Sequence, residues 1–256
     1  MSDELMVSEI FGPTIQGEGP YAGHTAIFLR LGRCNLDCRW CDTPYTWDWQ
    51  GKNGVSYDPK VELTRMSVEQ VNRKLVNLKN KRGFRNKRKM WKPRLVVSGG
   101  EPLLQAKALT ALLESLEPEF GNRWDDWSGY DIETNGTRPP LETDLKITYV
   151  ISPKLSNSGV QWKEEWTTNL QQYAVLSHRG EAFYKFVIDS EASAKEARII
   201  ESRTRWNTEA TYFMPEGRTA EELDANSAIC YESTYTTDTK YSDRLHIRLW
   251  GDRRGV

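Results

Sequence analysis

Short apolar runs alternate with helical patterns along the chain, and this alternation constrains the fold more than any other feature. The runs that predict strands are 25–31, 94–98, 131–134, 147–152, 183–188 and 210–214. Helices are predicted to begin at the capping boxes Ser67–Gln70 and Thr219–Glu222, and to cover about 102–116 and 191–201. The final run, Arg244–Trp250, is read as strand-like. Strands separated by helices indicate a parallel sheet or barrel, in which ligands bind at the carboxyl ends of the strands.

The composition indicates a soluble globular chain. Its 256 residues include 35 Lys and Arg and 36 Asp and Glu, which gives a formal net charge of −1. No stretch approaches the roughly 18 apolar residues of a membrane-spanning helix. The acidic start, Met1–Leu5, lacks the apolar run of a secretory signal. We therefore expect a cytoplasmic protein, read as one domain over residues 1–256, with no charge-based reason to bind nucleic acid or a membrane.

Cys34, Cys38 and Cys41 form a C-x3-C-x2-C motif. A reducing cytosol disfavours disulfides, so clustered thiols indicate a metal or redox site. Three thiolates can hold three irons of a [4Fe–4S] cluster and leave the fourth iron open to a small molecule, whereas an electron-transfer cluster has four cysteines. A structural zinc would also need a fourth ligand. Candidates for it are Cys230, His24, His178 and His246, none of them in paired spacing; Cys230 is interpreted instead as a buried apolar residue.

Two other features have alternative interpretations. The basic stretch Lys79–Arg94 is either a nucleic-acid-binding arm or a solvated loop, and the second is favoured because the rest of the chain is not basic. Several loops are rich in tryptophan, which either stacks on bases or covers the core, and we favour the covering role. These tryptophans are Trp47, Trp49, Trp124, Trp127, Trp162 and Trp166.

The cysteine motif, with Trp40 before its last cysteine, resembles the signature of radical S-adenosylmethionine enzymes. Ser98–Pro102 supplies a second signature, a Gly-Gly-Glu after a strand, which in that superfamily binds the methionine amino group. The glycines allow the backbone to approach closely. The resemblance implies an α/β fold, a shortened TIM-like βα barrel.

A closer resemblance, to the 7-carboxy-7-deazaguanine synthase family, runs nearly from end to end. The matching segments are 9–19, 28–31, 34–43, 98–102, 132–137, 152–154, 185–188, 214–217 and 245–256. The resemblance implies conversion of 6-carboxy-5,6,7,8-tetrahydropterin to 7-carboxy-7-deazaguanine with loss of ammonia, and the use of Mg2+. It also implies a homodimer and an electron donor such as flavodoxin or ferredoxin, with no membrane and no nucleic acid required.

The resemblance also assigns roles to individual residues. Cys34, Cys38 and Cys41 would ligate the cluster, and Thr43 would place its hydroxyl on Mg2+. The adenosylmethionine site would comprise Trp40, Cys41, Asp42, Gly100, Ser152, Pro153, Lys154, Met214, Pro215, Glu216 and Gly217. The substrate site would comprise Ile15, Gln16, Gly17, Arg30, Ser98 and Val256.

Some of these roles have physical reasons. The guanidinium of Arg30 could bind the substrate carboxylate through two parallel hydrogen bonds. The alternative for Arg30 is an ordinary salt bridge, and the alternative for Thr43 is a strand-end cap. Ser98 stands where the family usually has Thr, and it keeps the hydroxyl. The tail would bring the α-carboxylate of Val256 to the pterin, with Arg253 or Arg254 fixing it.

Two other functions remain alternatives at this point. One is a radical activating enzyme that acts on a protein, which would not need the segment Pro13–Gly19. The other is a zinc-containing nucleic-acid-binding protein.

Overall fold

The computed structural model describes residues 4–81, 92–117, 127–235 and 237–256. Its strands are β1 (Glu4–Ile15), β2 (Thr25–Leu31), β3 (Thr64–Ser67), β4 (Arg94–Gly99), β5 (Gly129–Thr134), β6 (Ile147–Ile151), β7 (Ala182–Ile188), β8 (Thr211–Pro215) and β9 (Lys240–Tyr241). Its α-helices are α1 (Pro59–Glu62), α2 (Val68–Lys81), α3 (Ala106–Leu116), α4 (Glu165–Ser177), α5 (Glu191–Thr204), α6 (Ala220–Glu232) and α7 (Leu245–Trp250). Short 3-10 helices cover Gly19–Tyr21, Pro44–Thr46, Pro102–Gln105, Ser156–Ser158 and Thr208–Ala210.

The strands of the described residues form one nine-stranded mixed sheet in the order β3-β1-β2-β4-β5-β6-β7-β8-β9. From β2 to β9 each neighbouring pair is parallel, whereas β1 runs antiparallel to β2 and β3. The sheet has two ends, β3 and β9, and does not close on itself. This architecture confirms the predicted α/β partial barrel.

Side-chain alternation along β2 separates the core from the concave side of the sheet. Ile27, Leu29 and Leu31 are fully buried in the main hydrophobic core with residues of α2 and α3. Phe28 belongs to a second, small apolar cluster with Phe11, which stacks on its ring at a centroid distance of 5.0 Å. Because successive side chains of a strand point to opposite faces, the next residue on the Phe28 side is Arg30.

The predicted central strands and both capping boxes are confirmed. Ser67 and Gln70 exchange two hydrogen bonds at the start of α2, and Thr219 and Glu222 do the same at α6. The prediction of a strand-like segment over 244–250 was wrong, because Leu245–Trp250 is the helix α7. The strands β1, β3 and β9 and the helix α4 were not predicted.

The other sequence interpretations can be followed only where the structure describes the chain. Trp127 and Trp166 are buried, in accord with the covering role, and Cys230 is fully buried in the main core. Residues 82–91 of the basic stretch and Trp124 lie outside the described residues. None of the helices in the described residues is long and apolar enough to span a bilayer.

Candidate active site

A cavity of about 230 Å³ opens at the carboxyl ends of the parallel strands. It is lined by the loops that follow β2, β4, β5, β6 and β8, together with the end of β1 and the C-terminal tail. Of the residues that the sequence assigned to the site, the cavity brings these together: Ile15, Gln16, Gly17, Arg30, Cys34, Cys38, Trp40, Cys41, Asp42, Thr43, Ser98, Gly100, Ser152, Lys154, Met214, Pro215, Glu216, Gly217 and Val256. Pro153 is buried behind them and does not line the cavity.

The three motif cysteines lie on the loop that follows β2, and all three line the cavity. Burial raises the pKa of Cys34 to about 12 and that of Cys38 to about 11, and it also raises the pKa of Cys41. The thiols are therefore protonated near neutral pH without a metal, and binding of iron must release these protons.

The donor set fits an iron–sulfur cluster better than a closed zinc site. No three His, Cys, Asp or Glu side chains of the described residues are placed to hold a single ion, and the fourth cysteine, Cys230, does not line the cavity. A tetrahedral zinc needs four donors around one point. A [4Fe–4S] cluster binds each cysteine to a different iron, so the three sulfurs need not converge.

The Gly-Gly-Glu segment packs against the end of β2 and the start of the cysteine loop. A Cβ atom on Gly99 would lie 2.0 Å from the carbonyl oxygen of Leu31, and one on Gly100 would lie 2.0 Å from that of Arg33. The glycines are thus required by the close packing of this turn against the start of the cysteine loop. Both glycines line the cavity through their backbone.

Glu101, the last residue of the Gly-Gly-Glu segment, points away from the cavity. Its side chain is fully buried and does not line the cavity. The carboxylate accepts hydrogen bonds from Leu103 N at 3.0 Å, Asn135 N at 2.8 Å and Thr134 Oγ1 at 2.9 Å. Glu101 therefore fixes the loop that follows β5, which leaves backbone atoms of the two glycines to face a ligand.

On the side of β6 and β8, the predicted adenosylmethionine residues form a polar wall. The Lys154 ammonium donates to Ser152 Oγ at 2.9 Å and lies 5.2 Å from the centre of the Trp40 ring. The Trp40 indole donates to the carbonyl oxygen of Asn157 at 3.1 Å, which fixes the ring next to the last motif cysteine.

Glu133, which the sequence reasoning missed, connects two of the predicted substrate residues. Its carboxylate accepts from Gln16 Nε2 at 3.2 Å and from Ser98 Oγ at 2.8 Å. Lys185 Nζ lies 3.7 Å from the same carboxylate. A charged residue inside a predicted strand, as in 131–134 and 183–188, was the sequence signal that could have identified Glu133 and Lys185.

A second group of charges, also missed, surrounds Glu18. Its carboxylate is paired with Lys185, accepts from Arg244 Nε at 2.8 Å and lies 3.8 Å from His246 Nε2. Burial favours a higher pKa for Glu18, but the neighbouring cations Lys185 and Arg244 outweigh it and hold the pKa well below 4.5. Arg244 also pairs with Asp42, and its Nη1 donates to the carbonyl oxygen of Gly217 at 2.5 Å.

Arg30 forms the salt bridge that the sequence offered as its alternative role. Its Nε donates to Glu9 Oε2 at 2.9 Å, and the hydroxyl of Tyr45 donates to the same oxygen at 3.0 Å. Among the described residues, no hydrogen-bond partner meets the terminal nitrogens of Arg30, which lines the cavity. The Nε atom thus holds the Arg30 guanidinium in place, and its two terminal nitrogens remain available to a ligand.

Thr43 precedes the 3-10 helix Pro44–Thr46 without capping it through its side chain. Its hydroxyl lies 3.7 Å from Cys41 Sγ and lines the cavity. Within the described residues the Thr43 hydroxyl makes no hydrogen bond to a strand, so the strand-end cap that was its alternative is not formed there.

The tail reaches the cavity, and Arg254 anchors it. Arg254 donates to Glu9 Oε1 at 3.1 Å and to Glu62 Oε2 at 2.9 Å, and its guanidinium lies 3.6 Å from the centre of the Tyr45 ring. The side chain of Arg253 is exposed and forms no ion pair within the described part of the chain. Val256 lines the cavity.

The chain is similar to one family model and to known proteins. Residues 15–173 match the family model described as a 4Fe-4S single cluster domain. The chain is 32% identical to the 7-carboxy-7-deazaguanine synthase of Rhodopirellula baltica, over 98% of this chain and 89% of that protein. It is 31% identical to the synthase of the same name from Hyperthermus butylicus, over 95% of this chain and 92% of that protein.

A solved structure has a similar fold. The crystal structure of QueE from Escherichia coli superimposes with a TM-score of 0.61 and 20% sequence identity, covering 94% of this chain and 93% of that one.

Proposed function

This chain belongs to the 7-carboxy-7-deazaguanine synthase family, and we propose that it converts 6-carboxy-5,6,7,8-tetrahydropterin to 7-carboxy-7-deazaguanine with loss of ammonia. Its cofactors are a [4Fe–4S] cluster and S-adenosylmethionine. One observation supports the proposal above all others: a single cavity holds the three-cysteine loop and, beside it, the hydrogen-bonded group Gln16, Ser98 and Glu133.

The cysteine side of the cavity would hold the cofactors. Cys34, Cys38 and Cys41 would each bind one iron, and the remaining iron would be open to the amino and carboxylate groups of adenosylmethionine. When bound, the cluster supplies the electron that cleaves adenosylmethionine and begins the radical reaction. The protein's own part is to place Gly100 and the polar wall of Trp40, Ser152 and Lys154 around that ligand.

The opposite side would hold the pterin. Gln16 offers an amide donor and acceptor in one plane, and Glu133 accepts hydrogen bonds, so together they suit the amino-pyrimidine edge of the substrate. The terminal nitrogens of Arg30 would bind the substrate carboxylate. The α-carboxylate of Val256 would close the cavity over the ring.

Mg2+ would bind at Thr43, whose hydroxyl lines the cavity without capping the helix that follows. Magnesium keeps several waters and prefers oxygen ligands, so one protein hydroxyl together with the substrate carboxylate is a suitable partial ligand set.

Further parts of the proposal rest on the family resemblance. Residues 1–256 form one radical S-adenosylmethionine domain with an N-terminal substrate-binding segment and a C-terminal tail. The enzyme works as a cytoplasmic homodimer, and an electron-transfer protein such as flavodoxin or ferredoxin reduces it. It does not require nucleic acid.

An anaerobic assay tests the proposed function. Protein reconstituted with iron and sulfide is incubated with the carboxytetrahydropterin, adenosylmethionine, a reductant and Mg2+, and formation of the deazaguanine chromophore is followed. Cys34→Ala, Cys38→Ala and Cys41→Ala should each lose the brown iron–sulfur absorption and all turnover. Cys230→Ala is the matched control and should retain both, because Cys230 is buried in the main core, away from the cavity. An active wild type without iron, or loss of the cluster in Cys230→Ala, would overturn the assignment.

A further inference from the structure

The three motif sulfurs have unequal hydrogen-bond surroundings. The indole Nε1 of Trp47 donates to Cys41 Sγ at 3.3 Å. Cys34 Sγ has more distant donors, Leu36 N at 3.5 Å and Asn135 Nδ2 at 4.0 Å. Within the described residues, no side chain donates to Cys38 Sγ. Of the three sulfurs, Cys41 Sγ thus has the nearest neutral side-chain donor.

The backbone around Trp47 holds this indole firmly in place. The 3-10 helix Pro44–Thr46 begins three residues after Cys41, and Trp47 N and Asp48 N both donate to the carbonyl oxygen of Pro44, at 3.0 and 2.7 Å. The buried carboxylate of Asp48 then accepts from Lys52 N at 2.9 Å and Asn53 N at 2.8 Å. Hydrogen bonds therefore hold the backbone before and after Trp47. In this arrangement the indole N–H points at Cys41 Sγ.

We propose that Trp47 is a positioning residue that raises the reduction potential of the cluster through its hydrogen bond to the Cys41 sulfur. The inference rests on the proposed function, because it requires Cys41 to be a cluster ligand. An added electron increases the negative charge on the cluster sulfurs, so an N–H donor stabilises the reduced state more than the oxidised state. The bond also orients the Cys41 thiolate, in the manner of partners that fix metal ligands from outside the coordination sphere.

The test compares Trp47→Phe with the matched control Trp49→Phe. Phenylalanine keeps a ring at position 47 but removes the donor. Trp49 lies two residues further along, does not line the cavity, and its indole makes no hydrogen bond within the described ranges. Both variants are reconstituted with iron and sulfide, and the cluster is titrated with reductant while the reduced form is followed by electron paramagnetic resonance.

We expect the ratio of reduced to oxidised cluster at a fixed potential to fall about tenfold in Trp47→Phe, which corresponds to a midpoint lower by about 59 mV for one electron. The iron–sulfur stretching bands in resonance Raman spectra should shift as well, whereas Trp49→Phe should match the wild type in both measurements. Equal midpoints for wild type and Trp47→Phe would overturn the proposal.

A second replacement guards against a variant that loses its cluster. Site-specific replacement of Trp47 by 3-benzothienylalanine keeps the bicyclic shape and exchanges the N–H for a sulfur atom. The same fall in midpoint in this protein supports the proposal, and an unchanged midpoint contradicts it. If the wild type itself binds no iron at Cys34, Cys38 and Cys41, the proposed function fails first, and this result is distinct from an unchanged potential.

Discussion

At position 17 the imidazole of His246 occupies the space that a side chain would need. A Cβ atom on Gly17 would lie 2.1 Å from Nδ1 of His246, and Leu245 N donates to the carbonyl oxygen of Gly17 at 2.9 Å. The backbone of Gly17 has no left-handed conformation, so packing alone requires glycine there. The substrate segment and α7 therefore fit together only if residue 17 has no side chain.

Gly17→Ala should for this reason destabilise the protein by about 1–3 kcal/mol, as overpacking does in other cores. Urea unfolding measures the change. In the double variant Gly17→Ala, His246→Ala the space is open again, so the cost of the first substitution should largely disappear. Additive losses in the two single variants and the double variant would show that the two side chains do not compete for this space.

The charges around Glu18 predict two separate pH windows for stability. Burial, reinforced by the neighbouring Arg244, lowers the pKa of His246 below 6.5, so the unfolded chain binds this proton more readily. Stability should fall as the pH drops from about 6.5 to the lowered folded pKa. The pKa of Glu18 is held well below 4.5, so its contribution is present above about pH 4.5 and is lost as the pH falls through the folded pKa.

Urea unfolding from pH 3 to 8 tests both windows. His246→Gln should remove the loss that begins near pH 6.5, and Glu18→Gln should flatten the loss below about pH 4.5. The hypothesis fails if each variant retains the pH profile of the wild type.

About half of the lining residues could be identified from the sequence because motifs mark them, but their partners could not. The cysteines and Gly99-Gly100 can be recognised as functional from their residue types and their spacing. Arg244 shows no such spacing, since its partners Glu18 and Asp42 are separated from it by more than two hundred residues. Nor could the sequence reveal that Glu101 turns away from the cavity, because that depends on donors from the loop after β5.

At the scale of elements, the central parallel strands were predictable and the edges were not. The central strands β4 and β7 are almost wholly buried, so their sequences are largely apolar. β1 has an irregular register with β2 and includes Gly12 and Pro13, which interrupt the alternation expected of a strand. The first five of the six residues of α7 alternate between apolar and polar types and were mistaken for a strand, since so short a run fits either period.

The C-terminal tail is held by the ion pair of Asp252 with Arg218 and, closer to its end, by the contacts of Arg254, which can be removed on their own. Arg254→Ala removes the ion pairs with Glu9 and Glu62 and the stacking on Tyr45. Each contributes up to about 1 kcal/mol at a partly exposed site. If Val256 closes the substrate site, release of the tail should raise the substrate KM about tenfold, with little effect on iron content or adenosylmethionine binding.

Arg179→Ala is the comparison for this experiment, because its side chain is exposed, makes no ion pair in the described ranges and does not line the cavity, whereas Arg253 does line it. The effect of Arg179→Ala on KM should be clearly smaller. Equal KM values for the two variants would show that Arg254 does not hold the tail in the working enzyme.

At the scale of the whole molecule, the parallel sheet determines where chemistry can occur. Each central strand carries core side chains toward the helices and a few polar ones toward the concave side, as Ile27 and Leu29 contrast with Arg30 on β2. The carboxyl ends of β2, β4, β5, β6 and β8 meet at one edge, where five loops contribute to one cavity. This convergence is a property of the topology. Once the strand order is known, one can therefore expect segments that are distant in sequence to form one site at this edge.

Arg244 is the point at which three of those distant segments are joined. Its guanidinium contacts Glu18 on the substrate segment, Asp42 beside the last motif cysteine, and the carbonyl oxygen of Gly217 after β8. It is almost fully buried. Removal of one partner from a buried ionic group leaves the other charges unpaired, which typically costs about 3–5 kcal/mol.

Arg244→Gln should therefore lower the free energy of unfolding by about 3–5 kcal/mol, measured with urea on the protein without cofactors. Arg218→Gln is the matched control: Arg218 pairs with Asp252 near the same edge of the sheet, but both side chains are exposed, so its loss should cost about 0–1 kcal/mol. Each arginine uses two nitrogens for its ion pairs, Arg218 with Asp252 alone and Arg244 with Glu18 and Asp42, so the main difference between them is burial. Similar losses in the two variants would mean that the three segments are held together by the sheet itself and not through Arg244.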